Sequence, residues 1–365
     1  MKITKIETIT IGLPFENPGP ESSFAIAEKN ILNSLLIKIE TDKGIIGWGE
    51  AFGYTSIETT KAALHSMIIP HLIGRNIENK YDIQTINKEL HLKLHIFGRY
   101  GITMFALSGI DIALWDIIGK AENKSISELL GGLKINSLKA YASLFLYDNA
   151  EAAAKVSLKA KNEGYTIIKL HENTMAPIKS SREAIGDTAL MVDVNCVWSE
   201  DHMEEIKNTL TEAKLYWLEE PIWPPENYSG LSKLRDQGFI IASGENACTA
   251  FQFEEMISNK AADILQPSVT KVGGISEIVK IAALKKSNCR VVPHSPYFGP
   301  GFMATLQVIG ALTPDSEIER LYVDLKADLY NGASNIDNKG NISIPSGPGL
   351  GMEPNLEIIE KYSVN

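Results

Sequence analysis

The chain predicts an α/β fold: a modified TIM (β/α) barrel under an α+β N-terminal capping domain. Two observations carry this. Asp193, Glu219 and Glu245 each close a short apolar run, and they stand 26 residues apart and then 26 again. That interval is about one strand, one helix and two loops. The runs are Thr166–His171, Leu190–Asn195, Leu215–Pro221 and Phe239–Asn246. In a barrel of this kind the C-terminal strand ends converge on one face. The second observation is the different grain of the first 125 residues, where alternating, strand-like patterns give way to helical ones.

In chain order, Lys2 to Leu13 alternates as a strand. Asn33 to Glu40 and Gly44 to Glu50 read as a hairpin across Thr41-Asp-Lys-Gly44. Pro14 to Ser23 is a loop, and so is Ala51 to Ser56, with Ser56 placed to cap a helix. Helical spacing follows over Ile57–Ile69, Lys80–Leu94 and Ile102–Glu122. A short helix from Ser125 closes at Gly131-Gly132. His65, His71, His91 and His95 lie in this part, away from any acid cluster, and read as structural or surface residues. The domain plan is 1–125 for the cap, 126–330 for the barrel and 331–365 for a segment returning to the cap. Barrel strands are expected to end near Leu144, His171, Asp193, Glu219, Ser243, Gln266, Pro293 and Arg320. Helices are expected between them, for example over Glu151–Asn162, Met203–Ala213, Phe251–Asn259 and Ile275–Lys286.

Composition narrows the function. The 365 residues are ordinary for a globular chain, with 44% hydrophobic and 22% charged. A formal charge of -10 argues against nucleic acid as a partner. The apolar runs are short, so no membrane span is expected. Met1-Lys-Ile-Thr-Lys-Ile-Glu alternates like a strand and shows no apolar leader. Three cysteines, Cys196, Cys248 and Cys289, have no metal-ligand spacing and fit a reducing cytoplasm.

Three carboxylates converging at a barrel mouth repel strongly, and a divalent cation relieves that. An all-oxygen donor set favours Mg²⁺. The metal-ligand candidates are therefore Asp193, Glu219 and Glu245. Glu219 and Glu220 face opposite sides of their strand, and alternation does not say which points inward.

The chain resembles the enolase superfamily, and within it the mandelate racemase and muconate lactonising enzyme group. The likeness runs over nearly the whole chain. It is carried by Ser108-Gly-Ile-Asp111-Ile-Ala-Leu-Trp115-Asp-Ile-Ile-Gly119-Lys, Leu129-Leu-Gly-Gly132, Lys169-x-His171, Asp193-x-Asn195 and Glu219-Glu-Pro221. Gly244-Glu245-Asn246, Lys271-Val-Gly-Gly274, Pro293-His294 and Gly347-Pro-Gly-Leu-Gly351 complete the series. The resemblance implies the capped barrel, Mg²⁺ on Asp193, Glu219 and Glu245, and a homo-oligomer. Of the two adjacent acids it places Glu219 on the metal.

The chemistry implied is removal of the α-proton of a small carboxylate through a metal-stabilised enediolate. Lys169 and His171 share one strand face, with Lys169 adding positive charge and His171 acting as acid/base. Many relatives carry lysine at the second position, so His171 is a departure. On the opposite side His294 matches a seventh-strand histidine, but its usual sixth-strand aspartate is Ser268 here. Lysine, used there by lactonising enzymes and dipeptide epimerases, is also absent, and Lys271 lies three residues on. The second acid/base is thus His294 or Lys271, or the enzyme is one-sided and works from the His171 face alone. Glu319 matches an eighth-strand glutamate that, if protonated, would donate to the substrate carboxylate. Asn195, Asn246, Ser268 and Tyr297 are substrate-binding candidates, with Tyr297, Phe298, Trp198 and Trp223 as an aromatic wall. The expected outcomes are dehydration, racemisation or epimerisation, or cycloisomerisation of a hydroxy acid, sugar acid or its lactone. A racemase or dehydratase of an amino acid or betaine using His171 and Lys271 is the alternative. A non-catalytic metal-binding homologue is the remote one.

Overall fold

The computed structural model describes residues 1–20, 30–284 and 289–364. The N-terminal sheet contains β1 (Ile3–Glu16), β2 (Ile31–Thr41) and β3 (Ile46–Ala51), antiparallel in that order. Gly44, at φ +76°, makes the β2–β3 turn that Leu36–Glu50 and Lys38–Trp48 pairing requires. Pro14 belongs to β1 rather than to a loop, and residues 21–23 of the expected loop lie outside the described residues.

Helices α1 (Ile57–Ala63), α2 (Lys80–Leu94), α3 (Gly101–Glu122) and α4 (Ile126–Leu129) follow. Ser56 does not cap α1. Its hydroxyl pairs with Thr59 Oγ1 at 2.8 Å instead. Asn79 and Ser125 do cap α2 and α4, each in a reciprocal capping box. Asn123, in the left-handed region at φ +52°, stops α3.

Helix α3 has the length and apolarity of a membrane span, a pattern that inspection of short apolar runs misses. Most of it is buried inside the fold. It packs so closely on β3 that a Cβ at Gly49 would stand 2.0 Å from the Gly109 carbonyl oxygen. Its polar residues tie three regions together. Asp116 accepts from Trp48 N at 2.8 Å and from Leu350 N at 2.9 Å. Ser108 accepts from Gly273 N at 2.8 Å, and Asp111 from Ser276 N at 2.9 Å. The Ser108–Lys120 motif is thus the bolt between the cap, a barrel loop and the C-terminal segment.

The barrel alternates β4 (Ser137–Ser143), α5 (Ala150–Asn162), β5 (Ile167–Leu170), α6 (Met175–Ile185), β6 (Ala189–Asp193), α7 (Glu200–Glu212) and β7 (Trp217–Glu219). It continues through α8 (Tyr228–Asp236), β8 (Ile241–Ser243), α9 (Thr249–Ser258), β9 (Ile264–Leu265), α10 (Ile275–Ala283), β10 (Arg290–Val291), α11 (Pro300–Leu312) and β11 (Ile318–Leu321). Residues 285 and 286 of the expected Ile275–Lys286 helix lie outside the described residues. Strands β4 to β10 pair in parallel in chain order, and β11 pairs with β4. Between β10 and β11 side chains bridge the seam: Arg290 to Glu317 at 2.6 Å and Ser295 N to Glu319 at 2.9 Å.

After β11 the chain forms β12 (Asp324–Leu325), paired with β1, and β13 (Asn341–Ser343), paired with β4. The last helix, α12 (Leu356–Tyr362), lies against β1. The closing segment therefore touches both the N-terminal sheet and the barrel.

Inside the barrel, Tyr141, Ile167, Met191, Trp217, Ala242, Ile264 and Val292 form a separate apolar cluster. Strand side chains repeat every two residues, so Lys169, Asp193, Glu219 and His294 sit one layer above Ile167, Met191, Trp217 and Val292. The cluster is the dry floor of the site.

Candidate active site

Oxygens of Asp193, Glu219 and Glu245 lie within 4.8 Å of one another. Glu219 is the inward member of its pair. Glu220 faces away and accepts from Cys196 Sγ at 3.0 Å and Ser243 Oγ at 3.1 Å. Lys169, 1% exposed, reaches Glu219 at 2.7 Å, Glu319 at 3.0 Å and Asp193 at 3.1 Å. Burial works against its ammonium form, but Glu219, Glu319 and Asp193 outweigh it and hold its pKa well above the usual lysine value.

Glu319 lies on β11. Burial pushes its carboxyl up, yet Lys169, His294 and the Ser295 N–H bring it down to about 2. Its oxygens accept from Ser143 Oγ at 2.8 Å and from Ser295 N at 2.9 Å.

His171 Nδ1 donates to the Leu144 carbonyl, and its Nε2 stands 3.2 Å from Asp193 Oδ2. Across the site, His294 Nε2 is 3.1 Å from Glu245 Oε2. Burial and Lys271 lower the His294 pKa against the opposing pull of Glu245. Lys271 Nζ lies 3.0 Å from Asn246 Oδ1, 3.4 Å from Glu245 Oε1 and 4.4 Å from the Phe52 ring centroid. Asn246 also donates to Glu245 at 3.0 Å. Asn195 uses its backbone N–H on Asp193, at 3.0 Å. Ser268 and Tyr297 are bonded to each other through their hydroxyls.

The cluster fits a divalent cation on charge as well as on donor type. The carboxylates of Asp193, Glu219, Glu245 and Glu319 face the ammonium groups of Lys169 and Lys271. Burial pushes the Glu219 carboxyl well above the usual range, with Asp193 and Glu319 adding to the rise against Lys169, and an ion such as Mg²⁺ would relieve that crowding. Asp193, Glu219 and Glu245 are the residues that could hold it.

Above this floor is a cavity of about 630 Å³. His171, Asn195, Glu245, Asn246, Lys271, His294, Tyr297 and Glu319 line it, so most of the residues singled out in the sequence come together here. Trp198 and Trp223 do not. Trp198 Nε1 donates to the Asn173 carbonyl at 2.8 Å, and Trp223 is 70% exposed. The aromatic lining comes instead from Phe52, Tyr54, Phe145, Tyr297 and Phe298. None of His65, His71, His91 and His95 lines the cavity, and His65 pairs with Thr8 at 2.8 Å.

Sequence reasoning missed Glu50. It is the penultimate residue of β3, is 3% exposed and accepts from Gly301 N at 2.8 Å, so the cap grips the start of α11. Burial raises its carboxyl to about 7. A buried acid in the apolar setting of Gly47-Trp-Gly-Glu50 was the available signal.

A capped barrel whose strand ends gather acids, lysines and two histidines under one cavity defines a class: metal-assisted enzymes acting on small carboxylates. Comparison with known proteins narrows it. Residues 17–131 match the mandelate racemase / muconate lactonizing enzyme N-terminal domain, and residues 151–358 the enolase C-terminal domain-like family. The chain belongs to the mandelate racemase / muconate lactonizing enzyme family of the enolase superfamily. It is 32% identical to the D-galactarolactone cycloisomerase of Agrobacterium fabrum, covering 99% of each chain. It is 30% identical to the arabinonate dehydratase of Saccharolobus solfataricus, covering 89% of each. The crystal structure of the 3,6-anhydro-D-galactonate cycloisomerase from Zobellia galactanivorans superimposes with a TM-score of 0.84, at 26% identity and full coverage of both chains.

Proposed function

We propose that the protein removes the α-proton of a sugar acid or its lactone and expels the oxygen on the neighbouring carbon. If that oxygen is a hydroxyl, the reaction is dehydration. If it belongs to a ring, the reaction is cycloisomerisation. The observation that carries this is the cluster of Asp193, Glu219 and Glu245, flanked by His171 on one side and His294 with Lys271 on the other. Relatives that are sugar acid dehydratases and a lactone cycloisomerase support the substrate class.

In this reading Asp193, Glu219 and Glu245 hold Mg²⁺. Bound there, the ion would supply the positive charge that makes the α-proton acidic and stabilises the enediolate. Lys169 and Lys271 add fixed cationic charge beside the substrate carboxylate. His171 takes the α-proton. Its Nδ1 donates to a carbonyl, so the nitrogen assigned to that task is Nε2, which stands 3.2 Å from Asp193 Oδ2. The dry floor of Trp217 and its neighbours keeps these charges in a low-dielectric setting, where they act strongly.

The test is exchange in D₂O with Mg²⁺, across aldonates, aldarates and their lactones, read by NMR and mass. Loss of water with deuterium on the β-carbon, beside the new ketone at the former α-carbon, identifies a dehydratase. Ring opening with no mass change beyond deuterium identifies a cycloisomerase. No exchange with any of these compounds, from protein shown to bind Mg²⁺, removes this reading.

A further inference from the structure

We propose that Glu172, the residue after His171, is a positioning residue: it fixes the backbone segment 144–148, which orients the His171 imidazole and also receives the cap. This role deepens the proposed reaction and rests on it for its catalytic meaning.

Glu172 is fully buried and accepts from two successive backbone N–H groups, Tyr147 at 2.8 Å and Asp148 at 3.1 Å. Asp148 stands at φ +49°, in the left-handed region, and successive N–H groups in such a turn form a concave seat for an anion. The segment clasped in this way is the one that meets His171. The Leu144 carbonyl accepts from His171 Nδ1, and Leu144 N donates to the Lys169 carbonyl at 2.9 Å. The chain from Lys169 to Glu172 therefore grips the segment at both ends, at Leu144 and at Tyr147 with Asp148. His171 lines the cavity, while Glu172 is directed to the loop beside it.

The cap docks on the same segment. Phe145 lines the cavity and packs on Phe15 of β1, with ring centroids 5.8 Å apart. The Tyr147 hydroxyl donates to Asn17 Oδ1 at 3.1 Å, and that oxygen also accepts from Gly19 N at 3.1 Å. A Cβ at Gly19 would stand 2.6 Å from the Tyr147 ring, so turn and ring are in close contact. Residues 17–20 of the cap and His171 of the barrel are thus joined through one short segment, with Glu172 as its anchor on the barrel side. A general base must hold its nitrogen within hydrogen-bond reach of the proton it takes, and a misplacement of about 1 Å costs about 10²-fold in rate. Glu172 touches no reacting atom in this reading. It acts by fixing the carbonyl to which the imidazole is bound.

The experiment is a ¹H–¹⁵N spectrum of the full chain with ¹⁵N-labelled histidine and Mg²⁺, paired with kinetics on the substrate found by deuterium exchange. The His171→Gln spectrum assigns the His171 Nδ1–H resonance by its loss. The wild type should show that proton, slowed in its exchange with water by the Leu144 carbonyl. Glu172→Gln sets an amide NH₂ against one of the two N–H donors. It should shift the His171 resonance, speed its exchange and lower kcat by roughly 10²-fold with KM little changed. Asp337→Asn is the control, since Asp337 also accepts from two turn N–H groups, Lys339 at 2.8 Å and Asn341 at 2.9 Å. It should move neither readout. An unmoved His171 resonance in Glu172→Gln, a moved one with unchanged kcat, or an equal change in Asp337→Asn overturns the proposal. Tyr147→Phe removes only the hydroxyl on Asn17 and should move the same resonance by a smaller amount; no movement there overturns the part given to the cap. If Glu172→Gln does not fold, a missing or fast-exchanging Nδ1–H in the wild type still overturns the proposal. The spectrum needs no turnover, so it can fail while sugar acid chemistry stands, or hold while that chemistry fails.

Discussion

Lys169 Nζ stands 2.7 Å from Glu219 Oε1, and both side chains are almost wholly buried. One ammonium group there faces three carboxylates, so the barrel mouth is short of positive charge. Mg²⁺ should therefore raise the melting temperature. At a hundredfold excess over Kd the stabilisation would be about 2.7 kcal/mol. Asp193→Asn and Glu245→Gln should each weaken or abolish that shift in a thermal melt. An equal shift in both variants would place the ion elsewhere.

His171→Ala should reduce turnover by roughly 10²–10⁴-fold, the usual contribution of a positioned acid/base. The Mg²⁺-dependent thermal shift should persist, because His171 contacts Asp193 but is not one of the three clustered acids. Single-turnover measurement on the substrate found by deuterium exchange is the check. Near-normal turnover would remove His171 as the base.

Much of the architecture was legible because strand and helix alternation is a local property of sequence. The equal spacing of Asp193, Glu219 and Glu245 placed three strand ends, and the structure gathers those acids into one cluster. What stayed hidden depends on partners distant in the chain. Glu50 enters the cavity wall only because Gly301 N meets it from α11. Phe52 matters because Lys271 rests over its ring. Trp198 and Trp223 look like cavity residues in sequence, yet the backbone turns through Asn195 and Cys196, both at positive φ, before Trp198 bonds outside the cavity. Glu319 meets Lys169, which arrives from a strand 150 residues earlier.

Asp111 carries a pH signature in stability. Burial raises its carboxyl from 3.8 to about 7, against the hydrogen bonds from Ser276 and Asn87. The sign follows from the raised value: ionising this acid costs more in the folded state than in the unfolded one. The penalty is absent below about pH 4, grows between about pH 4 and pH 7 and levels off above 7. Asp111→Asn lacks that titration. The stability of the wild type relative to this variant should therefore fall between pH 5 and pH 8, measured by urea unfolding. A constant difference across that range would show that Asp111 does not titrate in this window.

Gly274 and Gly74 test what holds the loop after β9 in place. Both have φ +83°, and Gly274 also has ψ −164°, a combination essentially confined to glycine, so backbone strain is part of the cost of a side chain there. A Cβ at Gly74 would meet nothing within 4 Å. At Gly274 it would stand 2.4 Å from Asp111 Oδ2, in the buried contact between α3 and the start of α10. Relief requires shifting either a carboxylate fixed by Ser276 and Asn87 or the backbone that follows Lys271. Gly274→Ala should therefore cost about 1–3 kcal/mol more than Gly74→Ala in chemical unfolding. It should also reduce activity, since Lys271 lies three residues upstream and lines the cavity. Equal losses in the two variants would mean that the α3–α10 contact yields, and that the loop carrying Lys271 is not fixed by Asp111.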